Sequence, residues 1–272
     1  MRSALYVPGN RPDLFAKALT GRCDVVLLDL EDSVPLRDKE SARAEVIAWV
    51  RSVPAHRSRI WVRVNSGELG NADLAAVAAC GPAAVCLAKT ESARQVGAAA
   101  DILDRYESGS HAVRVCPLLE TATAIYAARE IAMAPRVLRL QIGEADLCAD
   151  TGISPGADER ELLAVRSQVV LAAAAAGIAA PLAPVRTDFR DLDALRVSTH
   201  ALRRLGFRGR ACVHPAQVPV VNEVFTPSAA DLERARALVA DFDAAASGVM
   251  VDDTGAMVDL AVIRHARRLL EQ

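Results

Sequence analysis

The sequence predicts an α/β protein: a (β/α)8 TIM barrel followed by a C-terminal lid-like extension of helix and hairpin. Three observations predict it. Eight strand-then-helix units follow one another in about 225 residues, the count and length of a parallel barrel. The strand patterns are short, continuous apolar runs, as in sheets buried on both faces. No G-x-G-x-x-G or P-loop sequence follows the first strand, which disfavours a doubly wound open sheet.

The first strand covers residues 3–7 and breaks at Pro8-Gly9; Pro12 opens a helix to about Ala18, with Asn10 as its cap. Val25-Val26-Leu27-Leu28 is the second strand and runs into Asp29-Leu30-Glu31-Asp32, before a helix over 37–50. Ile60-Trp61-Val62-Arg63-Val64 is the third, followed by a glycine-bearing loop and a helix near 72–79. Residues 83–87 form the fourth strand, ahead of Ala88-Lys89 and a helix over 92–106. The fifth, Val113-Arg114-Val115-Cys116-Pro117-Leu118-Leu119, stops at Glu120, and a helix over 121–132 follows. The sixth, over 137–142, ends in Gly143-Glu144-Ala145-Asp146; a loop with Gly152, Pro155 and Gly156 then leads to a helix over 159–176. The seventh strand, near 178–185, is weak because Pro181 and Pro184 interrupt it, and its helix covers 192–205. Arg210-Ala211-Cys212-Val213 is the eighth, before His214-Pro215 and a helix over 216–224.

The barrel domain is thus expected over 1–225 and the extension over 226–272. The extension reads as a helix over 228–246 and a hairpin of 249–251 with 256–258. The hairpin tip is Asp252-Asp253-Thr254-Gly255, and Asp259 stands ahead of a last helix over 260–270. Such an appendage suits a lid, an oligomer contact or plain surface packing, and the pattern does not choose among them.

A net charge of −2 gives no basic footprint for nucleic acid. No apolar run reaches the roughly 18–20 residues that cross a bilayer, and Met1-Arg2-Ser3 leads into a strand without a secretory apolar segment. The cysteines, at positions 23, 80, 86, 116, 148 and 212, form no CxxC pair. Reduced, buried thiols and a cytoplasmic protein are the expectation.

Glu120 and Asp146 stand 26 residues apart, about one βα unit, at or just beyond successive strand ends. In a barrel those ends share the face that carries active sites. Two carboxylates there repel unless a cation lies between them; alternatively each acid favours the N-terminus of the helix that follows. Spacing alone leaves both readings open. The hard oxygen donors suit Mg2+ rather than zinc, since His56, His111, His200, His214 and His265 show no metal-ligand spacing. Arg63, charged inside an apolar strand, needs an acidic partner or an anionic ligand. Glu31 or Asp32, beside Asp29 at the neighbouring strand end, would supply the acid or support a cation through water or Arg63. The loop from Tyr6 to Lys17 brings Arg11 and Lys17 near the first strand's end, to grip a CoA-type ligand or to form a solvated helix face.

Taken together, these blocks resemble the citrate lyase β-subunit-like acyl-CoA lyases of the HpcH/HpaI aldolase/citrate lyase family. Arg2-Ser3-Ala4-Leu5-Tyr6-Val7-Pro8-Gly9 opens the match, and Asp24 to Val34 is its most distinctive block. Val62-Arg63-Val64-Asn65, Leu119-Glu120-Thr121, Gly143-Glu144-Ala145-Asp146-Leu147 and Val213-His214-Pro215-Ala216-Gln217 follow in family order. Phe225-Thr226-Pro227-Ser228 and Gly255-Ala256-Met257-Val258-Asp259 extend it through the tail. The resemblance implies cleavage or formation of the carbon–carbon bond of a β-hydroxyacyl thioester, giving acetyl-CoA or a related thioester plus an oxo acid. It implies Mg2+ on Glu120 and Asp146, and the oxo acid at Arg63 and Glu120. It also implies acyl-CoA contacts at Tyr6, Arg11 and Lys17. Asp259 is implied as the catalytic acid/base that a neighbouring subunit's extension brings, in a homotrimer or hexamer. Thioester hydrolysis, or action on a carrier-protein-bound citryl thioester as a citrate lyase β subunit, are the alternatives. The chain departs from the family at Ala88, where a proline is usual before Lys89. It departs again at Leu182-Ala183, where an acid is common, and at Leu260, which replaces a proline.

Overall fold

The computed structural model describes residues 1–107, 112–245, 248–252 and 254–271. The histidine His111, the expected helix end at Ala246 and the hairpin-tip Asp253 lie outside the described residues. The chain divides into two compact units, Met1–Glu223 and Val224–Gln272.

The first unit is built on one seven-stranded sheet, parallel throughout. Its strands are β1 (Ser3–Pro8), β2 (Val25–Asp29), β3 (Ile60–Val64), β4 (Ala84–Leu87), β5 (Arg114–Leu119), β6 (Gln141–Ile142) and β7 (Arg210–Cys212). Their order is β6-β5-β4-β3-β2-β1-β7, so β1 to β6 neighbour one another in sequence order, β7 lies beside β1, and helices make the crossovers. Valine, leucine and isoleucine dominate these runs, and β2 is buried at every position, as a doubly covered parallel sheet requires.

Seven strands form where the sequence suggested eight. The segment expected to be the seventh contributes only two parallel bridges, Leu182 with Gln141 and Ala183 with Arg210. Leu182 N–H donates to Leu140 O at 2.8 Å and Ala183 N–H to Gly209 O at 3.0 Å. Pro181 and Pro184, immediately outside these two, have no N–H to extend the ladder. The sixth strand is shorter than expected: Val137 only bridges Val115, and Arg136, at φ 63, turns the chain just ahead of it.

Local signals set the helix ends. Ser92 and Gln95 close a capping box on Ala93–Tyr106, and the Asp191 carboxylate caps Leu192–Leu205. The expected cap at Asn10 does not form. Arg11 holds the cap position of Pro12–Leu19 with no side-chain cap bond, and Pro12 pre-sets the first turn. The helix expected over 121–132 is broken at Ala127 into Ala122–Tyr126 and Ala128–Ala132. All six cysteines are free thiols, five of them buried.

The second unit pairs helix Ala229–Ala245 with helix Leu260–Leu270 around Phe242, Val258 and Ile263. Between them runs an antiparallel hairpin of Val249–Val251 and Met257–Asp259, one residue later on its second strand than expected. The reason is local: the Asp252 carboxylate accepts from the backbone N–H groups of Thr254 and Ala256, which keeps Ala256 in the loop.

Candidate active site

Strand alternation builds the site. Ala4, Val25, Leu27, Trp61, Cys86, Cys116 and Leu118 share one core. The next residue of the same parity is Tyr6 on β1, Asp29 on β2, Arg63 on β3 and Glu120 just past β5. The pattern that fills the core therefore sets polar groups at the C-terminal ends of the strands.

Asp29 and Arg63 are register partners. The guanidinium meets the carboxylate edge-on, with Nε 2.6 Å from Oδ1 and Nη2 2.7 Å from Oδ2, the bidentate geometry that fixes an arginine best. Nη1 lies 3.0 Å from Glu31 Oε2 and 3.4 Å from Asp32 Oδ2. The Glu31 contact is an ion pair off the N–H direction, so the buried Glu31 Oε2 receives no hydrogen bond from the described residues. Below, the guanidinium lies 5.0 Å from the centre of the Tyr6 ring. The Tyr6 hydroxyl accepts a 3.0 Å bond from Gln141 Nε2.

The second half of the site is Glu120, Lys89 and Asp146. Lys89 follows β4 in a left-handed conformation, φ 52, in a turn that Thr90 Oγ1 closes on Leu87 O at 2.7 Å. Its N–H donates to Glu120 Oε2 at 3.0 Å. Its ammonium bonds to Asp146 and lies 3.6 Å from Glu120 Oε2 and 4.0 Å from Glu31 Oε1. Glu120 does not serve a helix end, whereas Asp146 lies in the first turn of Glu144–Thr151, where its charge also favours the helix N-terminus. Thr121, not Glu120, caps Ala122–Tyr126, and Asp146 pairs with Lys89. Glu144, its neighbour in the turn, is held by Arg166 Nε and Nη2 at 2.6 and 2.7 Å.

Tyr6, Asp29, Arg63, Glu120, Gln141 and Asp146 line a cavity of about 440 Å³, together with Val185, Thr187 and Val213; Glu31 and Lys89 are not among its lining residues. Arg11 and Lys17 do not line it: Arg11 is bonded to Asp13, and Lys17 is exposed in the last turn of Pro12–Leu19. Asp259 belongs to the second unit, where its carboxylate caps Leu260–Leu270 through Ala261 and Val262 N–H at 2.8 and 3.1 Å. Two site residues, Lys89 and Gln141, are not among the candidates that the sequence offers, and Asp29 is offered only together with Glu31 and Asp32. Asp29 is legible from its parity with Val25 and Leu27. Lys89 and Gln141 carry weaker signals, a lone lysine in a turn and a lone polar residue in an apolar run.

Five carboxylates (Asp29, Glu31, Asp32, Glu120 and Asp146) face two cations, Arg63 and Lys89. Burial pushes Glu120 and Glu31 up to about 7. Burial opposes the charge of Asp29 too, yet its hydrogen bonds and charge contact with Arg63 hold it below the usual carboxylate range. The excess of carboxylates over cations, with Glu120 and Asp146 converging on the one Lys89 ammonium, fits a divalent cation at those two acids. Among the described residues no three His, Cys, Asp or Glu side chains form a closed cage. Two carboxylates with the remaining positions open is the habit of Mg2+.

A raised carboxylate binds its proton more tightly in the folded protein, so metal-free stability falls as pH rises from about 4.5 to about 7. A metal bound to the ionised form reverses that loss. The gain in melting temperature on adding Mg2+ is therefore expected to grow with pH up to about 7–8 and then level off. A gain independent of pH between 5 and 8 would contradict this.

Gly143 leaves the Glu120 side chain its room. A Cβ there would lie 2.6 Å from Glu120 Cγ and 2.7 Å from Oε1, while the backbone itself is unstrained. Gly143→Ala is expected to cost about 1–3 kcal/mol by overpacking and to weaken Mg2+ binding. Calorimetry at unchanged fold checks it.

Residues 2–215 match the family model for HpcH/HpaI aldolase/citrate lyase. The chain belongs to that family. A citrate lyase subunit beta-like protein of Deinococcus radiodurans is 35% identical, over 99% of this chain and 96% of that protein. A (3S)-malyl-CoA thioesterase of Cereibacter sphaeroides is 34% identical, over 99% and 93%. Among solved structures, CitE of Mycobacterium tuberculosis, in complex with magnesium, acetoacetate and coenzyme A, superposes with a TM-score of 0.82. That chain is 35% identical, with 99% of this chain and 97% of CitE covered.

Proposed function

We propose that this protein is a Mg2+-dependent carbon–carbon lyase that cleaves or forms a β-hydroxyacyl-CoA thioester of the citryl, malyl or citramalyl type. Acetyl-CoA and an oxo acid are the products of cleavage. The observation that carries the reading is the join of an acid-locked arginine to a carboxylate pair, Glu120 and Asp146, around one cavity with excess negative charge. The fold that presents it is read as a (β/α)8 barrel closed through Leu182 and Ala183, with residues 226–272 as lid.

In this reading Glu120 and Asp146 hold the metal. When bound, Mg2+ supplies a Lewis acid beside oxygens that gain negative charge. Arg63 orients the oxo-acid carboxylate. Of its five N–H groups, two meet Asp29 and one on Nη1 meets Asp32, which leaves one hydrogen on each of Nη1 and Nη2 unbonded among the described residues, for a ligand. Asp29 keeps that edge in place. In cleavage the β-hydroxyl loses its proton and its oxygen becomes the carbonyl. The pair from the broken carbon–carbon bond goes to the thioester α-carbon, which takes up a proton. Asp259 of a neighbouring subunit is assigned as the group that exchanges that proton, and Tyr6, Arg11 and Lys17 as acyl-CoA contacts, in a homotrimer or hexamer.

Asp259→Ala tests the assignment: activity with the correct thioester is expected to fall on the order of 100-fold, with the Mg2+ affinity unchanged. Full activity in Asp259→Ala would remove Asp259 from the mechanism. Thioester hydrolysis is the second reading, favoured by the malyl-CoA thioesterase relative. Incubation with malyl-, citramalyl- and citryl-CoA separates the two. A lyase releases an oxo acid, whereas a hydrolase releases free CoA and the hydroxy acid alone. A requirement for a carrier-protein thioester in the same assay would place the chain with citrate lyase β subunits.

A further inference from the structure

Lys89 brings a third partner to the two acids just assigned to the metal. Its ammonium bonds to Asp146 and stands 3.6 Å from Glu120 Oε2 and 4.0 Å from Glu31 Oε1. One oxygen of each proposed metal ligand therefore already faces a cation that the chain itself supplies. The backbone is bent to put it there. At φ 52, Lys89 occupies a region that L side chains rarely adopt, and the same turn aims its N–H at Glu120 Oε2. Unlike Arg63, locked by Asp29 and 11% exposed, the Lys89 side chain is 36% exposed and carries its charge on a stem with four rotatable carbons rather than on a planar fork.

We propose that Lys89 is the built-in counter-ion of the site. Its ammonium pairs with Glu120 and Asp146 in the absence of metal and so competes with the divalent cation for their oxygens. The proposal rests on Glu120 and Asp146 being the metal ligands. Its physical basis is charge. Three carboxylates within 4.0 Å of one ammonium repel one another without it. A like charge at that distance opposes entry of a second cation. A brace and a competitor differ in sign: loss of a brace loosens the metal site, whereas loss of a competitor tightens it.

The test is calorimetric titration of Mg2+ into the full-length wild type, Lys89→Met, Lys89→Gly and Lys89→Arg, without substrate. Lys89→Gly tolerates the positive φ, so a side-chain effect seen there is not a backbone one. Both neutral variants are expected to bind Mg2+ about tenfold more tightly or better, while Lys89→Arg stays within about threefold of wild type. Unchanged or weaker Mg2+ binding in both neutral variants overturns the proposal while leaving the ligand assignment standing. Mg2+ binding to no variant, wild type included, overturns both. Binding that appears only in the neutral variants supports the proposal in its strongest form.

Discussion

Arg63→Met is expected to lower kcat/KM by at least roughly 100-fold and to destabilise the first unit by about 3–5 kcal/mol. Both effects have one cause. Asp29 is 2% exposed and takes two short bonds from the guanidinium, and Glu31 draws its nearest positive charge from the same group. Removal of the arginine leaves a buried carboxylate unpaired and takes away the edge proposed to orient the substrate. Lysine is no remedy, because a point charge cannot make the paired bonds to Asp29. The pH dependence carries a definite sign. The Asp29 pKa is held low by Arg63, so its contribution is present above the ordinary carboxylate range and is lost as pH falls through the lowered value. The stability deficit of Arg63→Met is therefore larger at pH 7 than at pH 3.5. Urea unfolding at the two pH values reads it, and an equal deficit at both would point to lost packing rather than lost pairing.

Glu120→Gln is expected to act in the opposite direction on stability. The substitution keeps volume and, with the amide turned, an oxygen for the Lys89 N–H. Burial pushes Glu120 up to about 7, so at pH 8 the ionised group is held against its own desolvation. Metal-free Glu120→Gln is expected to melt above metal-free wild type at that pH, yet to lose more than roughly 100-fold in Mg2+ affinity and to be inactive. A residue kept for packing would show the reverse pair of effects. Melting curves with and without Mg2+ distinguish them directly.

Much of this fold was legible in the sequence because parallel strands are continuous apolar runs with helices between them. The runs at Val25–Leu28 and Ile60–Val64 needed only periodicity to place. Residues 178–185 defeated the same reading, since their pairing is made through two backbone bridges hemmed by prolines rather than through a ladder. At the site, the acids that end strands were visible as such. Their partners were less so. Asp29 stood in view among three acids, and only register against Arg63 distinguishes it from Glu31 and Asp32. Lys89 meets Asp146 across 57 positions, a contact that depends on how two turns face each other and that no local pattern encodes. Asp259 remains the opposite case: its sequence context points to chemistry, and within its own unit it caps a helix.

The most direct measurement is product release from malyl-, citramalyl- and citryl-CoA by wild type and Glu120→Gln, each with Mg2+ and after chelation. The predicted result is oxo acid from one thioester, in the wild-type sample with Mg2+ alone. Oxo acid released at an undiminished rate after chelation, or by Glu120→Gln, would contradict a metal site at Glu120 and Asp146.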